Sequence, residues 1–131
     1  MRTHIIIMST IAATLICGKL RAEDDVTTSL IAVARACGDL AVAANPNVDL
    51  KIVPDKARDI FAQCKMQWRR VAIVMVENEA NDKVVNFHNR RDAQRLYQQI
   101  DATSIRLESD EEARLRNAMR AAALQSTPKQ R

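Results

Sequence analysis

The sequence predicts a small all-α protein: a three- or four-helix bundle stapled by one disulfide, following an N-terminal signal peptide. Apolar residues recur at spacings of three and four along three long stretches, which is the pattern of one buried helix face. The 131 residues include two glycines and three prolines, too few for the turns that a β architecture needs. Cys37 and Cys64 each fall on the apolar stripe of a predicted helix.

Residues 1–22 have the layout of a secretory signal peptide, with a basic start and an apolar run at residues 5–16. That run is shorter than the roughly 20 apolar residues that a membrane-spanning helix requires. We therefore predict cleavage between Ala22 and Glu23, and a mature protein in the periplasm or outside the cell. A cut after Gly18 and an uncut membrane anchor are the alternatives.

The charge of the chain depends on this processing. The full sequence has 20 Lys and Arg against 16 Asp and Glu, a formal net charge of +4. Three basic residues, Arg2, Lys19 and Arg21, and no acidic residue lie in the predicted signal peptide, so the mature chain has a net charge of about +1. A nearly neutral domain with four aromatic residues lacks the basic, stacking surface of a nucleic-acid-binding protein.

The first helix is predicted over residues 25–44, with Asp25 or Thr27 as its N-cap and a stop at Asn45-Pro46. Gly38 interrupts it, and we interpret this glycine as a point of close packing against a neighbouring helix. The stripe predicted to face the core consists of Val26, Leu30, Val33, Cys37, Leu40, Ala41 and Ala44.

The second helix is predicted to open at Pro54 and Asp55, after an extended connection over residues 48–53. Its stretch at residues 57–76 is the most apolar part of the chain beyond the N-terminus. Residues 71–76 are apolar on every side, so they need cover from more than one direction. The predicted core stripe is Ala57, Ile60, Phe61, Cys64, Trp68, Val71, Ala72 and Met75.

A third helix is predicted to begin after a cap at Asn89, and Val84, Val85 and Phe87 before it are expected to cover one end of the bundle. Ser109 and Glu112 match a capping box, so residues 90–124 form either one helix or two. The stripe of this segment begins with Ala93, Leu96, Tyr97, Ile100 and Leu107.

Cys37 and Cys64 are predicted to form a disulfide, because export would place both in an oxidising compartment. Closing a loop of this length stabilises a domain by about 3–4 kcal/mol in the chain-entropy model. The spacing differs from the Cys-x-x-Cys of redox-active pairs. The residues predicted to form the core around this staple are Leu30, Val33, Leu40, Ile60, Phe61, Trp68, Ala72, Met75, Leu96 and Ile100.

The residue pattern favours binding over catalysis. His88 is the single histidine beyond the signal peptide, so neither a histidine metal site nor an oriented catalytic base is predicted, and no cofactor is expected. We expect a domain at residues 23–125, with a tail at 126–131, that acts by protein–protein contact as an inhibitor, immunity or envelope-accessory protein.

A homodimer is one form of protein–protein contact that we expect for this chain. Membrane contact is expected during export alone, or permanently if the N-terminus stays uncut and makes the protein a tethered accessory factor. The third alternative is a small enzyme or carrier, with a pocket in the bundle lined by Met66, Met75 and Trp68.

Overall fold

Three helices make up the fold: α1 (Ile11–Ala43), α2 (Val53–Asn81) and α3 (Arg90–Ser126). A computed structural model describes the backbone of residues 11–81 and 89–126 and the side chains of residues 25–80 and 89–125, and these ranges contain no strand. The predicted all-α bundle with one disulfide is confirmed. The predicted cover by Val84, Val85 and Phe87, residues 1–10 of the signal peptide and residues 127–131 of the tail lie outside the described residues.

α1 begins much earlier than predicted, at Ile11 rather than Asp25. Asp25 and Thr27 are therefore interior positions, and their assignment as caps is wrong. Residues 11–24 contain no proline and are rich in good helix formers, so the helix extends without a stop signal. The predicted cleavage point between Ala22 and Glu23 lies within this continuous helix.

The first helix is also rotated relative to the prediction. Val33 and Leu40 are 58% and 73% exposed, so their placement in the core is wrong. Small residues, Ala34 and Gly38, occupy the buried side instead. Small side chains let helix backbones approach closely, and Cys37 fixes the same side towards α2. Close helix packing at Ala34 and Gly38 is therefore favoured over burial of the larger side chains on the opposite side of α1.

α2 is the central helix and packs against both of the others. Pro54 lies in its first turn, and residues 44–52 before it form turns and loop rather than the predicted extended connection, because the helix already begins at Val53. The apolar segment at residues 71–76 receives cover from two sides, and Val71, Ala72 and Val76 are buried. The core cluster also contains Ala34, Val53, Ala57, Ile60, Phe61, Cys64, Trp68, Leu115 and Met119.

α3 is one uninterrupted helix, so the alternative of a fourth helix starting at Ser109 is not realised. Its N-terminus is capped as predicted, because the Asn89 side chain accepts a hydrogen bond of 3.0 Å from the backbone N–H of Arg91. Leu107 packs against the core on one side of Ser109, and Leu115 lies in the core on the other. Continuous packing on both sides of the capping-box sequence keeps the helix intact.

The remaining predicted positions divide between the core and the surface. Leu30 and Met75 are half-buried and pack against the core, and Leu96 and Ile100 are half-buried. Tyr97, which was predicted on the apolar stripe of the third helix, is 66% exposed.

Cross-helix pairs define the topology. Cys37 is bonded to Cys64, and Asn78 donates a hydrogen bond of 3.3 Å to Thr27, so α1 and α2 run antiparallel. Arg69 of α2 forms a 2.7 Å ion pair with Asp101 of α3. α1 and α3 contact each other far less than either contacts α2.

Candidate interaction surface

One side of α1 is both apolar and exposed. Val26, Val33 and Leu40 recur every seven residues and are 54%, 58% and 73% exposed. Small exposed residues lie between them in the same register. We refer to these six positions as the outer α1 stripe: Val26, Ser29, Val33, Ala36, Leu40 and Ala43.

The outer α1 stripe is free of charge. At about 100° per residue, its six side chains span roughly one third of the helix circumference, on the side away from Ala34 and Gly38. The charged residues Arg35 and Asp39 lie outside the stripe, around the helix beyond the edge that Ala36 and Ala43 form. The stripe is therefore an apolar surface with a polar boundary on one side.

A disulfide fixes α1 on α2. Cys37 and Cys64 are bonded with a Cα–Cα distance of 5.9 Å, and Cys64 is fully buried. The bond lies beside Phe61 and Trp68 in the core cluster, as the shared face of α2 predicts. This covalent link sets which side of α1 faces inward, and thereby which side remains exposed.

A close crossing between α1 and α3 adds a second constraint. A Cβ atom added at Gly38 would lie 3.0 Å from Leu115 Cδ2 and 3.1 Å from Glu111 Oε1. These distances are tighter than ordinary van der Waals contacts, so a side chain at Gly38 would require its neighbours to shift by a few tenths of an ångström, which confirms the interpretation of Gly38 as a point of close packing.

An ion cluster surrounds this crossing. Arg114 Nε and Nη2 donate hydrogen bonds of 2.8 Å and 2.7 Å to the two carboxylate oxygens of Glu111. Arg114 Nη1 donates one of 2.7 Å to Asp39 Oδ1 on α1. Glu111 is 3% exposed, so this bidentate pair satisfies a buried carboxylate. The hydrogen bond to Glu111 is the largest cause that raises the pKa of Arg114 above its usual range, which keeps the guanidinium charged.

Sequence reasoning missed this cluster. Neither Asp39 nor Glu111 is among the predicted core or site residues. The spacing of Glu111 and Arg114, together with the proximity of Asp39 to Gly38, was the available signal. A glycine at a helix crossing brings the charges next to it within reach of the neighbouring helix.

Among the described side chains, Trp68 Nε1 and Gln67 Oε1 on α2 are buried polar atoms with no hydrogen-bond partner. An unpaired buried polar atom costs about 1–3 kcal/mol. Met66, predicted with Trp68 and Met75 to line a pocket, is 68% exposed, and that part of the prediction is wrong.

The described side chains also bear on the question of a metal site. Among the side chains that the structure describes, no three His, Cys, Asp or Glu residues come together as a metal site. His88 lies outside them.

One helix segment passes a test of length and composition for crossing a membrane. It is Asp25–Ala43, of which 11% is buried, and it lies near the N-terminus. Core helices and signal sequences pass the same test. The low burial shows how little of the Asp25–Ala43 segment the bundle covers.

Comparison with known proteins adds no assignment, because no protein family, curated protein or solved structure matches the chain.

Proposed function

We propose that this chain is an exported binding protein that acts by contact between the outer α1 stripe and another protein surface. The role belongs to the inhibitor, immunity or envelope-accessory type, in which a rigid surface rather than a reaction carries the function. The observation that supports it is the exposure of Val26, Val33 and Leu40 on one uncharged side of a helix. Contiguous apolar surface of this kind marks interaction sites in soluble proteins.

The fixed position of α1 supports binding at this surface. The disulfide at Cys37 and the tight crossing at Gly38 hold the helix in one orientation. A surface that is ordered before binding loses less conformational entropy when a partner docks. The stripe is therefore suited to specific contact.

Export is supported by two features. The apolar N-terminal segment fits a signal sequence, and the Cys37–Cys64 disulfide suits an oxidising compartment. N-terminal sequencing of the protein from the exported fraction tests this step. A mature start at Glu23 is expected, and recovery of all of the protein with Met1 in the reduced cytosol would contradict export.

A substitution in the stripe tests the binding role. Val33→Lys puts a charge at the centre of the outer α1 stripe, and Ile105→Lys is the matched control because Ile105 is 67% exposed on α3. Affinity capture from the exported fraction, quantified by mass spectrometry, is expected to show partners lost with Val33→Lys and kept with Ile105→Lys. Identical partner sets for both variants would contradict binding through α1.

Membrane tethering is a second candidate, because α1 continues unbroken through the predicted cleavage point and Asp25–Ala43 passes the test for a membrane span. In that case the uncut N-terminus would hold the bundle at a membrane surface. A membrane fraction that contains the protein with its first 22 residues intact would favour this candidate over the free exported form.

A further inference from the structure

We infer that the partner of the outer α1 stripe is a second copy of this chain, packed antiparallel about a two-fold axis. This inference rests on the proposed function, since it identifies the protein that the stripe binds. It follows from the order of large and small residues along the stripe.

The stripe is complementary to itself when one copy is reversed. In an antiparallel helix pair with its two-fold axis between residues 34 and 35, Val26 lies opposite Ala43 of the second copy, and Val33 lies opposite Ala36. Leu40 lies opposite Ser29 in the remaining layer. Every large side chain then meets a small one, so the two surfaces interdigitate without voids.

The parallel arrangement lacks this fit. It would place Ala36 against Ala36 and Ala43 against Ala43, and these layers would leave gaps between layers of paired valines and leucines. A gap removes the contact atoms on one side of each neighbouring residue and weakens the pair. The alternation of size therefore selects the antiparallel orientation.

Charge and dipoles agree with the antiparallel arrangement. The six residues of the stripe carry no charge, and Asp25, the acidic residue at the end of the stripe, is exposed. In a chain that starts at Glu23, antiparallel packing also places the positive end of each α1 dipole near the negative end of the other.

The size of the surface predicts a weak dimer. Eighteen helical residues give a face roughly 27 Å long and 10 Å wide, which corresponds to a total interface below about 1,000 Å². Interfaces of that size are typical of transient complexes, so we expect reversible association that depends on protein concentration.

Sedimentation equilibrium of the purified exported protein, from micromolar to millimolar concentration, tests the dimer. Each substitution counts twice in a two-fold interface, so Val33→Lys is expected to weaken association by about a hundredfold. Ile105→Lys is expected to leave it unchanged. A wild-type chain that stays monomeric throughout would overturn the inference.

Ala36→Leu tests the orientation by the sign of its effect. In the antiparallel pair the larger side chain collides with Val33 of the other copy and weakens association. In a parallel pair it fills the gap at the Ala36 layer and strengthens association. Ala36 is exposed, so the fold of the single chain is unaffected. Strengthening would overturn the antiparallel arrangement.

A spin label at Val26→Cys gives an independent measurement. The two labels are separated by about 26 Å along the axis of an antiparallel pair, since Val26 and its opposite residue are 17 positions apart. A parallel pair brings them into direct proximity, and that result would contradict the inference.

The two proposals fail in different ways. A monomeric chain that loses a different protein partner with Val33→Lys would reject the dimer and retain binding at the stripe. If the chain dimerises but affinity capture recovers no other protein, the dimer is retained and a different protein partner is rejected. A monomer that binds neutral lipid vesicles through Val33 would reject both in favour of a membrane surface.

Discussion

Gly38 of α1 and Leu115 of α3 meet at a tight crossing, where an added methyl group would fit only if its neighbours shifted. A Cβ at Gly38 would lie 3.0 Å from Leu115 Cδ2, and Leu115 is fully buried. This contact makes the orientation of α1 sensitive to a single atom.

Gly38→Val is therefore expected to destabilise the protein by about 1–3 kcal/mol, despite the better helix propensity of valine than glycine. Chemical denaturation followed by circular dichroism measures the loss. Ala62→Val, at an exposed position of α2, is the control and should change the free energy of unfolding by less than about 0.5 kcal/mol. Equal stability of the two variants would show that the crossing is looser than described.

Arg114→Met is expected to cost about 3 kcal/mol, because it leaves the buried Glu111 carboxylate without its bidentate partner. Arg116→Met is the matched control: Arg116 is as exposed as Arg114, but its contact with Glu112 is 3.7 Å long, so about 0–1 kcal/mol is expected. Glu111→Leu combined with Arg114→Leu should recover most of the loss. A double variant as unstable as Arg114→Met would contradict this explanation.

The contribution of Arg114 to the free energy of unfolding depends on pH in a definite direction. A raised pKa in the folded state means that the charge of Arg114 contributes its full stabilisation at neutral pH, and that raising the pH removes it only when alkali deprotonates the guanidinium. Replacing Arg114 should therefore lower the unfolding free energy by the same amount at pH 7 and pH 8. Urea titrations at both values check this expectation.

Reduction of the disulfide is expected to lower the free energy of unfolding by about 3–4 kcal/mol, because Cys37 and Cys64 are separated by 27 positions. Thermal unfolding with and without reductant measures the difference. The variant that carries both Cys37→Ala and Cys64→Ala should be insensitive to reductant. A reductant effect that persists in this variant would implicate a different bond.

Trp68 provides a spectroscopic report on the core. It is the only tryptophan and is 5% exposed, so its fluorescence should be blue-shifted in the folded protein and resist a polar quencher. Both properties should be lost together with helical circular dichroism upon unfolding. A fluorescence transition at lower denaturant concentration than the circular dichroism transition would show that the core opens before the helices melt.

Local periodicity predicted the helices well, because each helix buries a stripe that its own sequence displays. The disulfide followed from two cysteines on two such stripes, and Gly38 followed from its place inside one. The start and end of α2 could also be predicted, since Pro54 is typical of a first helical turn and the polar residues near Asn78 indicate a helix end.

The sequence did not predict which side of α1 faces the core, because both sides of the helix are apolar. Val33 and Leu40 make one side more hydrophobic, while Ala34 and Gly38 make the other side more closely packable. Which side turns inward depends on the shape of α2 and α3 there, and that is information from outside the helix. For the same reason the exposed stripe emerged only from the structure.

The Cys37–Cys64 bond also determines how the chain carries load. A pull between the two ends passes from α1 directly into the middle of α2, so the connection between the two cysteines bears no tension. The bond shortens the length to which the chain can be drawn out by about 90 Å, at roughly 3.3–3.6 Å per residue. If the N-terminus is ever held at a surface, the turn at residues 44–52 and the first third of α2 are shielded from force applied to the rest.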